Sequence, residues 1–414
     1  MQRQKQLDHG KLIGGKIVSE AYDALDTQHL GDFRFSLRRG GDKVGLGSPD
    51  HLEDHEKASL LSVGINLDNQ PRAGRFLLHD RSSMVLPSFI EGIEIFPIQT
   101  ALAQFPEVRR DYYFKAVGQK QDRYTKAVAD TQTGGYFIRV RKGAGTDIPV
   151  EAGLFMPDEM GAMRVHNIVV LEEGARLHLV TGCTAGRHLR SGLHVAVSEH
   201  FVAKDASFTN TMIHRWGPEF IVRPRGATVV ASNGTYAENY YSVQPPKSIE
   251  TNPVTYLKGR NASARYTAGL ICLPGTHCEI GSTIYLEGES SSAEIAARAV
   301  NHGGTVIQKG LLVGAAEGVR AHVDCSGLML SDTGVIEAVP GLRAMHPEAK
   351  MSHEAAIGKI DTGAVNYLRA KGLTEMQAVS LIVRGFLNID SEIIGLNTEL
   401  ERAIREMASI TSHD

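Results

Sequence analysis

From Gly134 onward the chain breaks into short β-prone runs separated by turn residues, and this punctuation limits its possible folds more than any other feature. Residues 136–140, 168–171, 177–180 and 193–197 are rich in branched and aromatic side chains and are bounded by turn formers. A loose pattern then repeats, in which a turn precedes a small residue and an alternating strand. It occurs at Glu173-Gly174-Ala175, Lys204-Asp205-Ala206, Arg225-Gly226-Ala227, Glu287-Gly288-Glu289, Gly303-Gly304-Thr305, Glu317-Gly318-Val319 and Asp332-Thr333-Gly334. From Cys278 the turns recur about every 12–16 residues. Such short, unhelical periods point to stacked β-coils, each burying its inner face only against its neighbours. Two units make one coil if the stack has two main sheets. The 43 glycines and the low aromatic content of 6% fit tight turns between thin strands. A β-sandwich or jelly roll also has many short strands and is the competing architecture.

The flanks read differently. Residues 1–130 form a mixed, charged region in which 16–26 and 60–67 are candidate short helices, and Pro87, Pro97 and Pro106 punctuate the remainder. The β core is expected over 131–360 and a helical segment over 361–414. Thr374-Glu375-Met376-Gln377 is a capping-box pattern that opens a helix carrying Val379, Ile382, Val383 and Phe386. Gly372 suits the end of a preceding helix over 363–370. A third helix is expected over 392–407, with Leu396, Leu400, Ala403, Ile404 and Met407 on one stripe. These helices either cap the open end of the coil stack, where strand edges need cover, or offer a groove to another protein. Physical argument alone favours the cap.

Composition narrows the function classes. A formal net charge of −3 gives no electrostatic basis for nucleic-acid or membrane partners. No apolar run approaches the ~20 residues that span a bilayer, and the start Met-Gln-Arg-Gln-Lys-Gln is not a secretory signal. The cysteines, Cys183, Cys272, Cys278 and Cys325, are too few and too scattered for a disulfide framework. A cytoplasmic protein with reduced thiols is the expectation.

The chemistry-bearing stretch runs from Cys325 to Glu354. A thiol at Cys325, an imidazole at His353 and a carboxylate at Glu354 are all competent iron ligands. Spacing alone favours the plainer reading, an inert core cysteine and a surface His-Glu pair. Neighbours on a flat strand point to opposite faces, so His353 and Glu354 cannot both reach one iron unless the strand bends. Cys183, Cys272 and Cys278 read as small core residues.

Gly358-Lys359-Ile360-Asp361, with Ser352-His353-Glu354-Ala355 before it and Asn366-Tyr367-Leu368-Arg369-Ala370-Lys371-Gly372-Leu373 after it, resembles the C-terminal signature of the SufB/SufD family. Residues 375–386 continue the likeness, and Gly182-Cys183-Thr184-Ala185 and His214-Arg215-Trp216 look like that family's core. The short archaeal-type SufB is the nearest pattern. The resemblance implies a mainly β chain: a right-handed parallel β-helix core with an N-terminal mixed or helical region and a C-terminal helical segment. It implies a non-enzymatic scaffold of the SUF system that builds a labile iron–sulfur cluster, expected as 4Fe–4S, at a homodimer interface. Cys325, His353 and Glu354 fall on its cluster-associated positions, and as iron ligands Cys325 ranks first, Glu354 second and His353 third. The resemblance also implies that a SufC-type ABC ATPase docks on the C-terminal helices, and because this chain has no phosphate-binding loop, ATP hydrolysis is expected of that partner. Apo iron–sulfur proteins are the implied recipients. The rival readings are a β-helix polysaccharide lyase or hydrolase, and a structural subunit that never touches iron.

Overall fold

A computed structural model describes residues 32–33, 51–67, 72–388 and 394–411. The expected helix at 16–26 lies outside the described residues. The strands in chain order are β1 (Gly74–His79), β2 (Ser82–Leu86), β3 (Ile93–Pro97), β4 (Tyr136–Val140), β5 (Val150–Met156), β6 (Gly161–Leu171), β7 (Arg176–Ala185), β8 (Ser191–Val202), β9 (Ser207–Arg215) and β10 (Glu219–Val230). They continue with β11 (Thr235–Gln244), β12 (Ser248–Thr251), β13 (Val254–Leu257), β14 (Ser263–Cys272), β15 (His277–Leu286), β16 (Ser292–Asn301), β17 (Thr305–Gly314), β18 (Arg320–Met329), β19 (Val335–Ala344) and β20 (Lys350–Lys359). The helices are α1 (Asp54–Leu61), α2 (Ile98–Gln104), α3 (Arg123–Thr131), α4 (Thr362–Ala370), α5 (Glu375–Leu387) and α6 (Ile394–Thr411).

The strands wind into a parallel β-solenoid of about 8 turns, with the helices toward the termini. One sheet has the order β2-β1-β5-β7-β9-β11-β14-β16-β18-β20, and the other runs β19-β17-β15-β12-β10-β8-β6-β4-β3. From β4 to β20 every pairing is parallel, which excludes the antiparallel sandwich. Side-chain hydrogen bonds between adjacent coils join residues 28 to 31 apart, so two of the short units close one coil.

The turns between sheets stack in a column of left-handed residues. Gly174, Asp205, Asn233, Asn261, Ser290 and Gly318 all have φ between 55° and 70°. Each of the first five donates its backbone N–H to a carbonyl in the turn of the next coil, as Asp205 does to Ser232 and Asn233 to Arg260. Asn261 Nδ2 also donates to Asn233 Oδ1 at 3.1 Å, and Asn233 Nδ2 to Asp205 Oδ1 at 2.8 Å. Gly, Asn and Asp tolerate this conformation best, and this is the physical content of the turn signals. One expected turn is absent. Arg225-Gly226-Ala227 lies inside β10, and Gly226 packs closely against Pro253, 3.2 Å from where a Cβ would stand. The chain breaks at Pro253 instead, which cannot donate to the ladder, so β12 and β13 are two pieces of one strand position.

The sheets begin earlier than the texture of the sequence implies. β1 pairs parallel with β5, and β3 pairs antiparallel with β4, so strands from the mixed N-terminal region join both sheets. Of residues 60–67, only the end of α1 is helical. At the N-terminal end the sheets close on antiparallel strands, β2 and β3. At the other end β19 and β20 each have a single neighbour among the described residues, and nothing there covers them.

The C-terminal helices start where expected. Thr374 and Gln377 exchange hydrogen bonds as a capping box, and Asp361 caps α4. They do not cap the open end. Val383 and Leu387 of α5, with Leu400, Ala403 and Ile404 of α6, pack on Val180, Ile213, Tyr241, Ile271 and Val300. Those strand residues lie on the outer face of the first sheet, which is apolar on both sides and must be covered. Arg298 donates to the Phe386 carbonyl at 3.0 Å. The buried Glu399 carboxylate takes Arg187 at 3.1 Å and Arg215 at 3.5 Å, with Arg402 beside it. The helices are therefore fixed to the flank.

Candidate functional site

The residues singled out in the sequence lie at the uncovered end. β18 and β20 are parallel neighbours in unbroken register, pairing Val323 with His353, Asp324 with Glu354 and Cys325 with Ala355. Along β18, Ala321, Val323 and Cys325 are buried, while His322, Asp324 and Ser326 are half-buried. Cys325 therefore points into the solenoid, and His353 shares its side two places along the next strand. Glu354 takes the outer side with Asp324. The structure thus brings Cys325 and His353 to one face and puts Glu354 on the other, because β20 has no bulge to re-aim it.

Cys325 lies within the last fully packed coil. Its thiol is inaccessible, and burial, with the Asp324 carboxylate adding to it, pushes its pKa up to about 11. It is a thiol at neutral pH, and a metal must displace its proton to bind. His353 and Glu354, on the last strand, are exposed. Along the two edge strands and the turn between them, Val335 is 54% exposed, Met345 65% and Ile357 47%.

The interior carries a polar group that the sequence reading assigned to plain core. Cys183 on β7, His194 on β8 and His214 on β9 are fully buried, and their ligating atoms lie within 4.8 Å of one another. Cys183 and His214 are register partners on adjacent coils, and His194 reaches them from the opposite sheet. The signal was present in the chain: Cys183 and His214 stand one coil repeat apart. It carries meaning only once that repeat is known. Burial lowers the His194 pKa to about 3 and raises that of the Cys183 thiol. Further along the same interior, Tyr236 donates to Glu238 at 2.8 Å, yet burial pushes this carboxyl up to about 7.

A family profile described as "SUF system FeS cluster assembly, SufBD core domain" matches residues 155–386, more than half of the chain. The chain belongs to the SufBD family. An iron–sulfur cluster assembly SufBD family protein of Archaeoglobus fulgidus is 40% identical over 359 residues, covering 87% of this chain and 96% of that one. A second, from Methanothermobacter thermautotrophicus, is 40% identical over 383 residues, covering 91% and 93%. The iron–sulfur cluster assembly protein SufB of Bacillus subtilis is 25% identical over 300 residues, covering 72% and 64%. The SufBD match runs from the end of β5 almost to the end of α5, which includes the open end, α4 and nearly all of α5 but not α6. A role in SUF iron–sulfur assembly follows from membership.

SufBD membership does not explain Glu238, but its burial makes a clear pH signature. Its folded pKa of about 7 exceeds the ordinary 4.5, so folding favours the protonated form. Stability is then lost as pH rises from about 4.5 through 7, by on the order of 3 kcal/mol. Glu238→Gln should remove most of that slope. Denaturation midpoints at pH 5 and pH 8 check this; a variant that follows the wild-type slope would assign the loss elsewhere.

Proposed function

We propose that this protein builds an iron–sulfur cluster where the open ends of two solenoids meet, and releases it to apo proteins with energy from a SufC-type ABC ATPase. The cluster is cargo, expected as 4Fe–4S. One observation carries the reading: a buried thiol, Cys325, lies beneath two edge strands that are uncovered and bear exposed apolar side chains. Unpaired edges invite another chain, and a twofold contact presents every residue twice.

In this reading Cys325 supplies a thiolate and His353 an imidazole from the same face of the sheet. Glu354 joins them only if the edge strand twists when the second copy pairs. Stable clusters usually have four thiolates. A set with one thiolate per copy holds iron more loosely, as a donor must. The ATPase is assigned to the flank helices, where Tyr367 is 63% exposed and Leu381 52%. The work is assigned to the cytoplasm, where thiols stay reduced. No helix among the described residues is long and apolar enough to cross a membrane.

A sugar hydrolase is less well supported. A groove of about 660 Å³ is lined by Arg265, Glu294, Arg320, His322 and Lys350 among others, and Glu294 is its one carboxylate among the described residues. Arg265 pairs with it at 3.3 Å, whereas glycoside hydrolysis calls for two carboxylates.

Three measurements test the proposal. Anaerobic reconstitution with ferrous iron and sulfide should give wild type a cluster absorption band that Cys325→Ala loses and His353→Ala weakens; equal bands in Cys325→Ala would remove the cluster from this end. Light scattering should find wild type dimeric and Ile357→Lys, a charge aimed into the edge, monomeric. Captured ATPase should fall at least about tenfold with Tyr367→Glu and Leu381→Glu combined, and undiminished capture would place the contact on another surface.

A further inference from the structure

We propose that Cys183, His194 and His214 hold one divalent metal ion of the zinc class inside the solenoid, as a resident site distinct from the cargo at Cys325. The three donors converge. A sulfur and two ring nitrogens lie within 4.8 Å of one another, on side chains that are all buried. Tetrahedral zinc binds sulfur at ~2.3 Å and imidazole nitrogen at ~2.0 Å. Its ligand atoms stand roughly 3.3–3.6 Å apart, so closing on an ion needs only small side-chain rotations.

The unpaired atoms point the same way. Neither ring nitrogen of His194 has a hydrogen-bond partner, and His214 Nε2 has none. Buried imidazole nitrogens are normally satisfied, and an ion beside the thiol would take one unpartnered nitrogen from each ring. His214 Nδ1 lies 3.1 Å from the Tyr240 hydroxyl. With Nδ1–H donating to that oxygen, the Nε2 lone pair is left for the metal, the usual outer support of a ligating histidine. The indole of Trp216 lies tilted against His194 at 4.9 Å and edge-on to His214 at 5.9 Å between ring centroids. Its N–H is also unpartnered and suits a small non-protein ligand in the fourth position. Zinc accepts a thiolate with two neutral imidazoles; binding releases the Cys183 proton and leaves one net positive charge.

The topology gives the ion a mechanical role. Cys183 and His214 belong to adjacent coils of one sheet, and His194 to the facing sheet. An ion here ties two coils and both walls together across the interior. With all three donors enclosed, it enters as the chain folds.

The test uses the full chain in a Cys325→Ala background, so that cargo iron does not contribute and a failure of the cluster proposal leaves this result readable. Protein unfolded with a chelator and refolded with zinc should retain about one ion per chain. Adding Cys183→Ser and His214→Gln should lower that about tenfold or more, with circular dichroism confirming the strands. Cobalt refolded into the same site should show a thiolate charge-transfer band, absent in Cys183→Ser. Should the variants not fold, X-ray absorption of the zinc-loaded Cys325→Ala chain decides: one sulfur with two nitrogens supports the site. A shell without sulfur, a shell of several sulfurs, or no retained zinc would overturn it.

Discussion

A strand in a solenoid is satisfied only when a coil lies on each side of it, and this requirement makes the two ends of the stack unlike its middle. Between them each backbone group finds its partner about one coil away, and the turn column repeats that solution with Asp205, Asn233 and Asn261 in equivalent places. At the N-terminal end β2 and β3 reverse direction and close the sheets. At the C-terminal end β19 and β20 stop without a successor. The helices that might have covered them are held on the flank by Glu399 and its arginines. That open edge is the feature on which the proposed pairing of two copies rests.

The interior is the second organising feature. A stack of coils encloses a column that water does not reach, and most of this column is apolar. Cys183, His194, His214 and Glu238 interrupt it with groups that cost free energy to bury. Chains seldom keep such groups without a compensating bond or a use. The thiol at Cys325, near the open end, belongs to the same interior, since it faces inward like the others.

Much of the fold was legible because its signals are local. The strand at Tyr136–Val140, the capping box at Thr374 and the end of α4 at Gly372 depend on residues a few places apart. Gly226 misled because a glycine between a charged and a small residue reads as a turn, while in the structure it lies inside a strand, close against Pro253 of the next coil. That neighbour is a whole coil away in sequence. The helices were expected first as an end cap, on the argument that edges need cover. The outer apolar face of the first sheet competed for them and won. The candidate cluster residues were legible partly from their chemistry and partly from resemblance. The parity that separates Glu354 from His353 was readable too, since alternation is a property of any strand.

The sequence alone determined alternation, turn chemistry, helix starts and the supply of thiol, imidazole and carboxylate groups, because each is set by bonds and contacts within a few residues. Tertiary structure decided which of these groups meet. Cys183 faces His214 because a coil returns the chain to the same height, and His194 joins them because the other wall passes opposite. Cys325 lies near an edge because the coils end after β20 and no helix among the described residues folds back over them. Those outcomes rest on the length of a coil and on competition for apolar surface, which are properties of the whole stack.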